Sequence, residues 1–196
     1  MTTKKAGGRG RPRRFDPEEA IATAQQLFHA HGYDSVGVAD VTAALGINPP
    51  SFYAAFGSKA DLYSRVLDRW AGTGAIPFAE ILRDDRPVAD ALAALLEEAA
   101  RRYAADPAAP GCLVLEGTRC NDPKARDTAR ALNLAAEDFI RRYIAARHPD
   151  QADSVADFVS TTMSGLSAKA RNGHRLDQLL SSARLASAAV GAALSS

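Results

Sequence analysis

The chain has 196 residues, of which 46% are hydrophobic, and this is enough apolar material for a packed core in one large or two small domains. No apolar run approaches the roughly 20 residues of a membrane-spanning helix, and the basic N-terminus lacks the apolar stretch of a secretory signal, so we expect a cytoplasmic protein with no membrane partner. Two cysteines are too few for a disulfide framework, which agrees with a reducing compartment.

Charge is unevenly distributed along the chain. The formal net charge is only +1, yet residues 1–14 contain six Lys or Arg side chains and no acid. The remaining residues hold 18 basic and 23 acidic side chains, a net charge of −5. Because residues 1–14 are rich in Gly and Arg and show no hydrophobic periodicity, we expect a disordered basic arm that orders on an anionic partner.

Helical periodicity begins directly after this arm. Asp16 can cap a helix, Pro17 suits its first position, Glu19 completes a capping box and Gly32 ends it. A second short helix is predicted over residues 38–45 and ends at Gly46.

Two consecutive prolines follow and are best placed at the start of a third helix. Asn48 is a good N-cap, so Pro49 and Pro50 fall in the first turn, where amide hydrogens lack helical partners anyway. This helix runs to about Phe56, and Ser58 caps a fourth helix.

The rest of the chain also has a helical pattern, without the alternation of a strand. Further helices are predicted over residues 87–105, 111–119, 123–147, 152–172 and 175–194. We therefore predict an all-α protein of about nine helices, with the third helix closing a three-helix, helix-turn-helix unit.

The sequence "VADVTAALGINPPSFYAAFGSKADLY" (38–63) resembles the DNA-binding domain of TetR-family transcriptional repressors. The family pattern is carried here by Leu45, Gly46, Ile47, Asn48, Phe52, Tyr53, Phe56, Lys59 and Leu62. The resemblance implies a helix-turn-helix domain over residues 15–59, a helical regulatory and dimerisation domain over residues 60–196, and a homodimer that binds a palindromic operator in double-stranded DNA. A small-molecule or electrophile inducer is then expected to release the repressor from its operator.

The resemblance also assigns DNA contacts. It places Thr42, Tyr53 and Lys59 at backbone-contacting positions and brings Arg11, Arg13 and Arg14 of the arm to the minor groove. Base readout is left to Asn48, Pro49, Pro50, Ser51 and Ala55. Two prolines offer only apolar contact, for example to a thymine methyl group, so part of the readout is left to DNA shape. Phe52 and Phe56 are expected to be core residues.

The second half of the chain carries candidates for dimerisation and for ligand sensing. Small and apolar residues cover broad faces of the last two helices, and those predicted to pair two chains are Met163, Leu166, Ala170, Leu179, Ala183, Ala186 and Val190. Trp70, Tyr103, Phe139 and Tyr143 are candidate pocket residues, although aromatic residues at helical spacing are more often plain core.

Cys112 is a candidate sensor, since a thiol at a helix start gains a lowered pKa; the alternative is a buried, structural thiol.

The four histidines lack metal-ligand spacing, and no phosphate loop or nucleophile elbow occurs, so we expect no metal, no cofactor and no enzymatic activity. Two alternatives stay open: a non-inducible activator, and a helical interaction or enzymatic bundle in which the helix-turn-helix only packs.

Overall fold

The computed structural model describes residues 16–195, which form ten α-helices and no strand. The helices are α1 (Pro17–His31), α2 (Val38–Leu45), α3 (Pro49–Phe56), α4 (Lys59–Thr73), α5 (Phe78–Ile81), α6 (Val88–Tyr103), α7 (Leu113–Gly117), α8 (Pro123–Ala145), α9 (Ala152–Arg171) and α10 (Leu176–Leu194). The nine predicted helices are present, and α5 is an additional single turn. The predicted all-α class is confirmed.

Local capping fixes the beginnings of four helices. Side-chain oxygens of Asp16, Asn48, Ser58 and Asp122 accept hydrogen bonds from the free amides of the first turns of α1, α3, α4 and α8. At α3 the cap is followed by two prolines within the first turn, as the sequence predicts. These caps depend on neighbouring residues alone, and this explains why the sequence locates them correctly.

The buried side chains form two apolar cores. One core joins α1 to α4 and also includes Leu113 of α7 with Ala125 and Ala129 of α8. The other core lies among α6, α8, α9 and α10. Because α7 and α8 contribute to the first core, the N-terminal helices are packed directly onto the C-terminal half of the molecule.

The residues predicted to form a dimer interface lie inside the protomer, which corrects that assignment. All seven are buried and belong to the second core, where α9 and α10 pack against α6: Met163, Leu166, Ala170, Leu179, Ala183, Ala186 and Val190. A broad face of small apolar residues is needed for close helix packing whether the neighbour is in the same chain or another chain. The exposed large apolar side chains of the same helices are instead Phe158, Leu176 and Leu185.

Candidate DNA-binding surface and ligand cavity

The helix-turn-helix is held together by the aromatic side chains of α3. Phe52 and Phe56 are 0% and 2% exposed, and their rings lie 5.6 Å apart within the first core. Their predicted role as core residues is confirmed. Since these rings lie on one side of the helix, the opposite side of α3 faces solvent.

The exposed side of α3 begins at its cap. Asn48 Oδ1 accepts a hydrogen bond of 2.9 Å from the Ser51 amide, so the carbonyl group of this side chain is used by the cap. Pro49, Pro50 and Ser51 are exposed, and Tyr53 is 53% exposed. One short helix thus presents a continuous surface in which the ring carbons of two prolines stand beside hydroxyl groups.

Two residues predicted to contact the DNA backbone have internal partners. Thr42 is 6% exposed, and its hydroxyl donates to the Ala39 carbonyl at 3.0 Å. Lys59 Nζ donates to the carbonyl oxygens of Tyr33 and Val36 at 3.1 and 3.0 Å, and lies 3.9 Å from the centre of the Tyr33 ring. Thr42 is therefore bonded within α2, whereas Lys59 ties α4 to the loop before α2 and is left with one N–H for another acceptor.

Arg11, Arg13 and Arg14 lie outside the described residues.

A large cavity lies between the helix-turn-helix and the C-terminal half. Its volume is about 930 Å³, and its walls come from α1, α4, α5, α6, α7, α8, α9 and the loops that precede α5 and α7. Four of the five residues predicted for ligand or redox sensing line this cavity: Cys112, Trp70, Tyr103 and Phe139. Such a volume, with mostly apolar walls and a few polar groups, is typical of a small-molecule site.

The fifth residue, Tyr143, is not among the lining residues. Its hydroxyl donates to the Arg83 carbonyl at 2.8 Å, and its ring packs against the Arg147 guanidinium at 4.7 Å. Tyr143 thus ties α8 to the loop that follows α5.

The surroundings of Cys112 raise the pKa of its thiol, whereas the sequence predicts a lowered pKa. Cys112 is the N-cap of α7, but this helix has only five residues, and burial raises the pKa of the thiol. The backbone amide of Cys112 donates to Ser167 Oγ at 2.9 Å. Cys112 and Cys120 are both free thiols. The predicted lowering of the Cys112 pKa is therefore wrong, because desolvation outweighs the short helix.

His29, which no sequence pattern singles out, lies where the cavity meets α1. His29 Nε2 donates to the Gly111 carbonyl at 3.1 Å, and its ring contacts the Trp70 ring at a centroid distance of 4.7 Å. Arg171 of α9 donates to the backbone carbonyl of His29 at 3.1 Å and forms an ion pair with Glu116 at 3.2 Å. Burial lowers the pKa of His29, so the ring is neutral near pH 7.

A second set of polar contacts joins the loop after α1 to the start of α8. The Tyr33 hydroxyl donates to Asp122 Oδ2 at 2.9 Å, and the Asn121 amide donates to the Asp34 carboxylate at 3.0 Å. These partners are nearly 90 residues apart in sequence, so no local pattern could have predicted the contacts.

Comparison with known proteins places this arrangement in a family. The sequence model of bacterial regulatory proteins of the tetR family matches residues 20–66. The HTH-type transcriptional repressor BdcR of Escherichia coli (strain K12) is 57% identical over 190 residues, covering 97% of this chain and 96% of that protein. The chain belongs to the TetR family. The E. coli (strain K12) repressor ComR is 29% identical over 183 residues, covering 88% of this chain and 87% of ComR.

A solved TetR-family structure is similar over almost the whole chain. A cysteine mutant of the transcriptional regulator CifR, complexed with 26-base-pair operator DNA, has a TM-score of 0.82 and 29% identity, covering 91% of this chain and 99% of that one. TetR-family members are DNA-binding regulators that act as dimers rather than enzymes, and this chain is such a regulator of transcription. Within residues 16–195, no helix is both long and apolar enough to cross a membrane.

Proposed function

We propose that this TetR-family protein is a cytoplasmic, homodimeric repressor that binds a palindromic operator and leaves it when a small-molecule inducer fills the cavity. The proposal assigns residues 1–14 to a basic arm, 15–59 to the DNA-binding domain and 60–196 to the regulatory domain. It is supported by the similarity to the repressors BdcR and ComR and to CifR, whose structure holds operator DNA.

The proposal is supported by two helices, α1 and α4, that line the cavity and also hold α3. The lining residues Gln25 and His29 belong to α1, and Trp70 belongs to α4. These same two helices pack against each other and hold α3 through the first core. A ligand in the cavity therefore touches the helices that position α3, and no intervening element is needed to transmit its binding.

The exposed side of α3 is the proposed reader. Asn48, Pro49, Pro50 and Ser51 contact bases, the prolines through apolar contact, and the Tyr53 hydroxyl donates to a phosphate. Thr42 is engaged within α2, and Lys59 ties the start of α4 to the loop before α2, with one Lys59 N–H left for a phosphate. Arg11, Arg13 and Arg14 of the arm extend the contact into the minor groove.

The exposed apolar residues of α9 and α10 are the proposed dimer contacts. Phe158 is 42% exposed and Leu185 is 73% exposed, whereas the seven small and apolar residues first predicted for the interface are buried in the protomer. Pairing across these helices sets the separation of the two α3 helices, which must match successive major grooves about 34 Å apart.

Replacing Leu185 with Glu is expected to give a monomer by analytical ultracentrifugation and to weaken operator binding; an unchanged dimer contradicts this interface.

Cys112 is proposed to be a wall of the cavity that the inducer contacts without forming a covalent bond. Burial raises the pKa of its thiol, so little nucleophilic thiolate is present at neutral pH. Alkylation rates measured across pH should give an apparent pKa above that of an ordinary exposed cysteine. A lower value would restore the sensor hypothesis.

DNA binding by variants of Tyr53 tests the proposed reader. Tyr53→Ala should weaken binding to all duplexes and make the slope of log K against log salt less steep. The change in affinity caused by Tyr53→Phe measures the contribution of the hydroxyl group alone. Arg101→Ala is the control, since it removes an exposed charge of α6 and should leave both quantities unchanged. Unchanged binding by Tyr53→Ala would favour a helix-turn-helix that only packs.

A further inference from the structure

The cavity has aromatic walls and an excess of negative charge. Four aromatic side chains line it: Trp70, Phe78, Tyr103 and Phe139. Within residues 16–195, its lining includes two carboxylates, Asp106 and Glu137, against one Lys or Arg, Arg102. The neutral His29 adds no positive charge to the walls. An incoming ligand therefore meets more negative than positive charge.

Among the residues that the structure describes, the one cation in the lining is Arg102, and it is already compensated. Arg102 Nε donates to Glu98 Oε1 at 2.7 Å, and Arg102 Nη1 donates to the Ala75 carbonyl at 3.0 Å. Its guanidinium thus joins α6 to the segment after α4. Since both contacts would be lost if it turned toward a ligand, Arg102 is poorly suited to bind an anion.

Glu137 has no such compensation. Its Oε1 accepts one hydrogen bond of 2.8 Å from Asn133, and among residues 16–195 it forms no ion pair. It is partly buried and lies on α8, two residues before Phe139. A carboxylate held at the edge of an apolar cavity gains most from a ligand that brings the opposite charge.

A groove adjoining the cavity has the same sign of charge. Glu137 and Ser160 line both spaces, and the groove also contains Asp153 and Asp157. The one base that the described part of the chain places in its lining, Arg141, pairs with Asp138. A cation that approaches through this groove would meet favourable charge before it reaches the aromatic walls.

We infer that the cavity binds a monovalent organic cation that carries aromatic rings, with its charge beside Glu137 and its rings against Trp70 and Phe139. The inference rests on the proposed function, in which this cavity is the inducer site. The faces of Trp and Phe rings attract cations, so the walls and the carboxylate favour the same sign of charge. An anion would instead face two carboxylates without a free cationic partner.

Fluorescence of Trp70 gives a direct measure of binding, because Trp70 is the single tryptophan of the chain. Three probes of similar size and different charge separate the classes: tetraphenylphosphonium, tetraphenylborate and neutral triphenylphosphine oxide. We expect tetraphenylphosphonium to quench the fluorescence saturably. Its affinity should be roughly tenfold or more higher than the affinity of either of the other two probes. Equal affinities, or tighter binding of tetraphenylborate, would overturn the inference.

Glu137→Gln is the decisive variant, since it keeps the shape of the side chain and removes its charge. Affinity for tetraphenylphosphonium should fall roughly tenfold, while affinity for triphenylphosphine oxide should stay the same. Glu80→Gln is the matched control, because it removes an exposed carboxylate of α5 that is not among the lining residues. A Glu137→Gln variant that keeps its preference for the cation contradicts the role of Glu137.

Failure of this inference can be told apart from failure of the proposed function. If none of the probes changes the fluorescence at millimolar concentration, the ligand class is wrong. The role of the cavity is then tested by Ala136→Trp, which places a large ring in it without any ligand. Weaker operator binding by this variant would leave the proposed function standing, whereas unchanged binding would contradict it.

Discussion

Replacing Gly117 with Ala tests how closely α7 of the C-terminal half packs against α4. Gly117 lies in α7, and a Cβ atom there would stand 2.3 Å from the Tyr63 hydroxyl oxygen and 2.9 Å from the Ala129 Cβ. Tyr63 is 1% exposed, and its hydroxyl donates to the Leu113 carbonyl at 3.3 Å. The added methyl group therefore has no room unless α7 moves away from α4 and α8.

The expected cost follows from three terms. Overpacking of this kind costs about 1–3 kcal/mol. Loss of the Tyr63 hydrogen bond costs about 1 kcal/mol more, and the higher helix propensity of Ala returns about 1 kcal/mol. We therefore expect the free energy of unfolding to fall by roughly 1–3 kcal/mol.

The assay is urea unfolding followed by circular dichroism at one fixed protein concentration, because a dimer's stability depends on concentration. Gly72→Ala is the control: it adds the same methyl group near the end of α4, with no atom within 4 Å, and should not destabilise the protein. Combining Gly117→Ala with Tyr63→Phe removes the closest clash, so the two effects should be less than additive. Additive losses, or an unchanged midpoint for Gly117→Ala, would refute the reasoning.

Three further predictions concern single side chains. Burial lowers the pKa of His29, so the folded protein loses stability as pH falls below about 6.5. The urea midpoint of His29→Gln should therefore depend less on pH across this window. Parallel pH profiles of the two proteins would count against this prediction. Asp122→Ala removes the cap of α8 and the partner of Tyr33, and should cost about 2 kcal/mol at pH 7. Hydrogen bonds from the Ala125 amide and Tyr33 lower the pKa of Asp122, so this difference should shrink as pH falls through that lowered pKa; a difference that stays constant in acid argues against it. Asn48→Ala should lower stability by about 1 kcal/mol and Asn48→Gly by only a few tenths, and equal losses in urea would exclude the observed cap.

The sequence predicts those features that depend on neighbouring residues. Asp16, Asn48, Ser58 and Asp122 each cap a helix through amides two or three positions away, so the pattern alone locates the helix starts. Helical spacing likewise predicts the burial of Phe52, which is 0% exposed.

Features that depend on distant partners were missed or assigned wrongly. The small apolar faces of α9 and α10 indicate close packing but not the identity of the neighbour, which includes α6 of the same chain for both helices. Burial decides the pKa of Cys112, and burial is set by the tertiary structure. The contact between His29 and Gly111 spans 82 residues, and a single histidine gives no signal of it.

We propose that this chain reads DNA as a dimer through α3. Selection of bound duplexes from a random library by the purified protein, followed by the salt dependence of affinity for the selected duplex, tests it most directly. We predict one two-fold symmetric site whose half-sites lie about 34 Å apart, with affinity falling steeply as salt rises. Enrichment of no sequence, or of a site without two-fold symmetry, would contradict the claim.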